Sequence, residues 1–193
     1  ADSFSDWEKK GVELNSHTAR DYTTIGFTLV PSQVNALLDQ VIERLRTWKT
    51  DEVRLTREKH AVLNEFRLRI ESGSTIKMQD ALWALALRMH PYRKPVSGYP
   101  TELPDLEIAD LDAFFKKHYV ASNITLVGVG NWEGESLEKR AAPRFSVLPT
   151  LSIPNRQIEN ETLQDGERHL TMPDTVSGSS LLIGFPISKA GEG

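Results

Sequence analysis

From Gln33 to Trp48 the apolar residues Val34, Leu37, Leu38, Val41, Ile42, Leu45 and Trp48 recur every three or four positions, with Glu43, Arg44 and Arg46 off the stripe. This spacing predicts an amphipathic helix that packs against a sheet or another helix. Just before it, residues 22–30 alternate, with Ile25, Phe27 and Leu29 apolar and small polar residues between them. A period of two predicts a half-buried strand, interrupted at Pro31-Ser32. Thr50-Asp51 offers N-cap chemistry for a further helix running to about Glu71 and ended by Ser72-Gly73-Ser74. Another helix is expected from about Ile76 to Met89, with Met78, Leu82, Leu85 and Met89 near one face. It stops at His90-Pro91, because proline disfavours helix in the residue before it.

Residues 91–105, rich in proline and glycine, predict an ordered loop. Asp110 to Tyr119 predicts a short helix with Leu111, Phe114 and Phe115 inward. Asn123 to Gly130 is apolar and β-branched and predicts a buried strand. Leu148 to Asp174 is polar with three prolines and reads as a linker, and Ser179 to Ile187 as the first strand of a following domain. The expected class is α+β: a largely antiparallel sheet with helices covering one face. The expected division is a domain at 1–148, a linker at 149–174, and from 175–193 the start of a following domain or a strand returning to the sheet.

Composition narrows the function classes. At 193 residues and 39% hydrophobic the chain can bury a core, and its net charge of −4 gives no reason to propose nucleic acid or an anionic membrane. No apolar run is long enough to span a bilayer. Without cysteine there is no disulfide framework, thiolate zinc site or cysteine nucleophile. The chain starts at Ala1 and stops at Ala190-Gly191-Glu192-Gly193 just after an apolar run, the expectation being a piece of a longer protein.

The chemistry concentrates in Thr56 to Phe66. Glu58 and Glu65 stand seven residues apart, nearly two turns at about 3.6 residues per turn, and so project from one face. Val62, about 40° away, and Phe66 suggest that this face is partly buried, which would call for a metal or a cationic partner. The five histidines, His17, His60, His90, His118 and His169, are not paired at helical spacing, and H-E-x-x-H and H-x-x-E-H are both absent. His60 points away from Glu58. The chain as written therefore has no complete metal site. Gly128-Val129-Gly130 lacks the third glycine of a dinucleotide fingerprint, and there is no G-x-S-x-G elbow.

The order of these segments resembles the insulinase/pitrilysin family of zinc metallopeptidases, which includes the mitochondrial processing peptidases. Asn15-Ser16-His17-Thr18 followed by Thr23 is similar to the family's N-A-x-T stretch. Arg57 to Glu65 is similar to the helix in which the family holds a supporting glutamate and, seven residues on, its third zinc ligand, His90 to Gly98 to its H-P-Y-x-x-P-x-x-G block, and Phe114 to Gly130 to F-x-x-x-Y…N-x-x-L-x-x-x-G. The family's H-x-x-E-H, counted back from Glu65, falls before Ala1.

The resemblance implies one half-repeat of the metallohydrolase fold, from the N-terminal catalytic half of a zinc endopeptidase. Glu65 would be the third Zn²⁺ ligand and Glu58 its support, with two histidine ligands and the general base outside the chain. Asn15, Ser16, His17 and Thr18 would form an edge strand binding an extended peptide or small protein substrate, with His17 and Tyr22 as pocket residues. A second homologous half or partner subunit is implied. The chain alone would be inactive and hold no zinc. The alternative is a non-catalytic family member that acts as a peptide-binding scaffold or partner subunit. The expected setting is the bacterial periplasm or envelope.

Overall fold

A computed structural model describes residues 4–71, 74–132, 134–153, 158–162, 164–173 and 178–187. Ser72-Gly73 of the expected helix stop, and 175–177 and 188–193 of the expected following element, lie outside the described residues. The chain forms two compact units, each discontinuous in sequence. The first comprises residues 1–52 and 107–155, the second residues 53–106 and 156–193.

The first unit opens with a short helix, α1 (Phe4–Glu8), and an antiparallel hairpin of β1 (Glu13–Thr18) and β2 (Thr23–Thr28). The register pairs Glu13 with Thr28 and Thr18 with Thr23, and the Ala19 N–H closes the turn on the Tyr22 carbonyl at 2.8 Å. Helix α2 (Val34–Arg46) follows a 3-10 turn at Pro31–Gln33, and its predicted stripe is the buried one: Leu37, Leu38 and Ile42 are inside. Trp7, Val12 and Leu37 form a small core, with Phe27, Leu29 and Val41 packed on it. The period-two face of β2 is therefore the one that reaches the core, although Ile25, nearer the turn, is exposed.

Helix α5 (Ile108–His118) begins where the Asp110 carboxylate accepts the Glu107 backbone N–H at 2.9 Å. Leu111 and Phe115 turn inward as expected, but Phe114 is exposed. Helix α6 (Leu137–Phe145) has no counterpart among the predicted elements. Ser136 caps it by accepting the Lys139 N–H, and Arg144 ties it to α2 by an ion pair with Asp39 at 2.5 Å. That contact, with hydrogen bonding to Asp39 as the largest cause, raises the Arg144 pKa.

In the second unit, α3 (Glu52–Glu71) spans twenty residues, close to its expected bounds. Helix α4 (Ser74–Ala86) stops earlier than expected because its end is capped from elsewhere in the chain. The Glu161 carboxylate accepts the backbone N–H groups of Arg88 at 2.8 Å, Met89 at 2.6 Å and His90. The Arg168 guanidinium donates to the carbonyls of Leu85 at 2.8 Å and Ala86 at 3.0 Å. Both chemistries suit their positions: a cation answers the orphan carbonyls of a helix C-terminus, and a carboxylate satisfies the successive N–H groups of the turn beyond it. Glu161 and Arg168 fall in the stretch expected to be a linker.

The coarse expectation of an α+β chain with antiparallel pairing holds, but among the described residues the sheet has two strands. Two predicted strands are not formed. Residues 124–129 and 181–187 carry no ladder, and Val129 is 96% and Phe185 80% exposed. Their composition fits a strand, yet a strand is stabilised by cross-strand partners, and these segments have none among the described residues. Gly184 lies instead against α4, where a Cβ would come within 3.2 Å of the Leu82 side chain. Gly128 is likewise a packing glycine: a Cβ there would meet the Trp132 ring at 2.5 Å and Leu137 at 2.6 Å.

Candidate functional site

The carboxylate pair lies on α3, which turns one stripe inward: Leu55 is buried, and Lys59, Val62, Leu63 and Phe66 are half-buried. Glu58 and Glu65 lie about 80–100° from the centre of that stripe at 100° per residue. Both are exposed. The expectation of partial burial is thus corrected: the shared face exists, but Val62 and Phe66 mark its neighbour. A solvated carboxylate does not need a counter-charge to be stable.

Glu58 nonetheless has one. Arg57 reaches it from the adjacent position, its Nη2 3.0 Å from Glu58 Oε1, with the Glu58 side chain 63% exposed. Lys59, on the inward side, donates to the Pro104 carbonyl at 2.9 Å and anchors the helix to the loop that follows α4. Side chains one and two positions apart thus have distinct tasks, as helical geometry requires.

Asn15, Ser16, His17 and Thr18 occupy consecutive positions of β1, opposite Gly26, Ile25, Thr24 and Thr23, and all four are exposed. The Thr24 hydroxyl donates to the His17 carbonyl at 3.4 Å, and the Thr18 and Thr23 hydroxyls meet at 3.3 Å. Among the described residues β1 pairs with β2 alone, so its other edge offers backbone donors and acceptors. β1 belongs to the first unit, Glu58 and Glu65 to the second.

Zinc takes four donors in most protein sites, three from protein when it is catalytic. Among the described residues no group of three or more His, Cys, Asp or Glu side chains could hold a metal ion. Glu65 is a single ligand side chain, so the described residues do not by themselves fit the ion. Sequence reasoning overlooked Glu161, whose pKa is lowered chiefly by the backbone N–H groups of His90 and then Arg88, against an opposing cost of desolvation, with a smaller lowering from Met89. No periodic signal marks it, because its partners lie more than seventy residues away.

Residues 105–192 match the family model described as the Peptidase M16 inactive domain. Over 141 residues the chain is 28% identical to the "Probable mitochondrial-processing peptidase subunit beta, mitochondrial" of Arabidopsis thaliana, covering 73% of this chain and 26% of that protein. It is 28% identical over 142 residues to the mitochondrial-processing peptidase subunit beta of Neurospora crassa, covering 74% and 30%. It is 26% identical over 132 residues to the cytochrome b-c1 complex subunit 1, mitochondrial, of Saccharomyces cerevisiae, covering 67% and 29%.

These matches support an insulinase/pitrilysin-type (M16) peptidase-like chain. It spans about a quarter to a third of the length of these relatives. The family match begins after Glu58 and Glu65, so it does not bear on their roles. The relatives, mitochondrial by name, overturn the expectation of a bacterial periplasm or envelope.

Proposed function

We propose that the protein acts as a zinc-dependent endopeptidase of the processing-peptidase type in mitochondria, with α3 contributing Glu65 as one zinc ligand and Glu58 as its support. The observation that carries this reading is that the two glutamates stand two turns apart on one exposed face of α3, where a ligand can reach them. The remaining donors and the general base come from residues other than those described, and the chain would represent one half-repeat of the family fold. Arg57, already on Glu58, would hold that carboxylate in place beside the metal ligand. The open edge of β1 at Asn15, Ser16, His17 and Thr18 would take an extended peptide or small protein substrate through its backbone, and a second homologous half or partner subunit would complete the enzyme.

The test is zinc content of the protein in its full natural chain. Glu65→Gln should lower bound zinc sharply, and Glu58→Gln should weaken it by about ten- to a hundredfold, as loss of an outer partner does. Zinc unchanged in Glu65→Gln removes that residue from the site.

A second reading is a non-catalytic partner subunit. It is favoured by the likeness to a cytochrome b-c1 complex subunit and by a matched family model described as inactive. Under this reading the full chain holds no zinc, cleaves no peptide and copurifies with a larger mitochondrial assembly.

A further inference from the structure

The first unit carries an open groove of about 780 Å³ bordered by the end of α2, by α5 and by the stretch after α6. Three near-parallel rings line it. Trp48 stacks on Phe115 with centroids 4.6 Å apart and 8° between planes, and Phe115 on Tyr119 at 4.5 Å and 7°. The second pair is an i,i+4 pair at the C-terminal end of α5, Tyr119 being the residue just past the helix. Arg46, Lys49 and Lys116 add three cations to the lining, against one carboxylate, Asp112. Glu43 stands 4.0 Å from Arg46, but neither Lys49 nor Lys116 has an acidic partner among the described residues. The whole chain carries a net charge of −4, so this groove is a cationic site on an acidic molecule, and its field favours an anionic occupant.

We propose that the groove docks an acidic peptide segment, with an apolar side chain against the aromatic stack and flanking carboxylates on Lys49 and Lys116. A nucleic-acid strand fits less well. Base stacking needs free ring faces, whereas here Phe115 is engaged by both neighbours, and the chain lacks the broad basic surface that phosphate tracking uses. The site is independent of the zinc reading, since Glu58 and Glu65 lie in the other unit.

The experiment is isothermal titration of the full chain with a five-residue peptide that has a central phenylalanine and two carboxylates on each side. Its counterpart with lysines in place of the acids, and an oligothymidylate, serve as comparisons. The acidic peptide should bind, more weakly at high salt, and the lysine peptide should not. Charge reversal by Lys49→Glu with Lys116→Glu should weaken binding about tenfold or more while leaving the unfolding midpoint in place. Phe115→Leu removes the central ring of the stack while keeping an apolar side chain there, and it should weaken binding to the acidic peptide. Equal binding of both peptides, indifference to the charge reversal, tighter binding of the oligothymidylate, or self-association of the chain that the reversal abolishes would each overturn the proposal.

Discussion

Glu161 shows what one side chain can do when its partners are backbone. It takes three consecutive N–H groups beyond α4, and these hold its pKa below the ordinary carboxylate value of 4.5. A pKa lowered in the folded state gives stability that is fully present above the unfolded value and is lost as pH falls through the folded one. Glu161→Gln is therefore expected to lower the thermal midpoint at neutral pH. The deficit relative to the parent should begin to shrink as pH drops below about 4.5, where the unfolded-state carboxylate takes up its proton, and should vanish once pH has fallen through the lower folded-state pKa. A deficit that is independent of pH from 7 to 3 would mean that the charge plays no part. At this scale the sequence was readable for Glu58 and Glu65, whose shared face follows from spacing alone. Their exposure was not, because which flank of α3 turns inward is decided by where Leu55, Val62 and Phe66 find partners.

Among the elements, α2 is legible because its stripe is unbroken from Val34 to Leu45 and the buried residues are those the period selects. Helix α6 is illegible for the opposite reasons. Its apolar positions are few, and Pro143 stands inside it, a residue that reads as a helix breaker. What holds α6 is a tertiary contact, the Arg144–Asp39 pair to α2, which no local pattern encodes. Asp39 is mostly solvent-exposed, so screening limits the worth of the pair. A double-mutant cycle of Asp39→Asn and Arg144→Gln should give a coupling of about 0.5–1 kcal/mol that declines with added salt. A coupling near zero would leave α6 held by Ala141 and its apolar neighbours instead.

Across the whole molecule, α2, α3, α4 and α5 appear close to where the sequence pattern places them, and among the described residues the sheet is smaller than composition implies. The asymmetry is physical. A helix satisfies its backbone within its own segment, so local sequence suffices to draw it, while a strand's hydrogen bonds belong to a neighbour that the local sequence does not name. Residues 125–129 and 181–187 have the β-branched, apolar character of strands and yet run without a ladder among the described residues. Hydrogen exchange separates intrinsic preference from actual pairing. In this chain the amides of 125–129 and 181–187 should exchange within seconds at neutral pH, while those in the middle of α2, bonded within the helix and backed by Leu37, Leu38 and Ile42, should be protected for far longer. Protection of either segment to the level of α2 would show that it does pair.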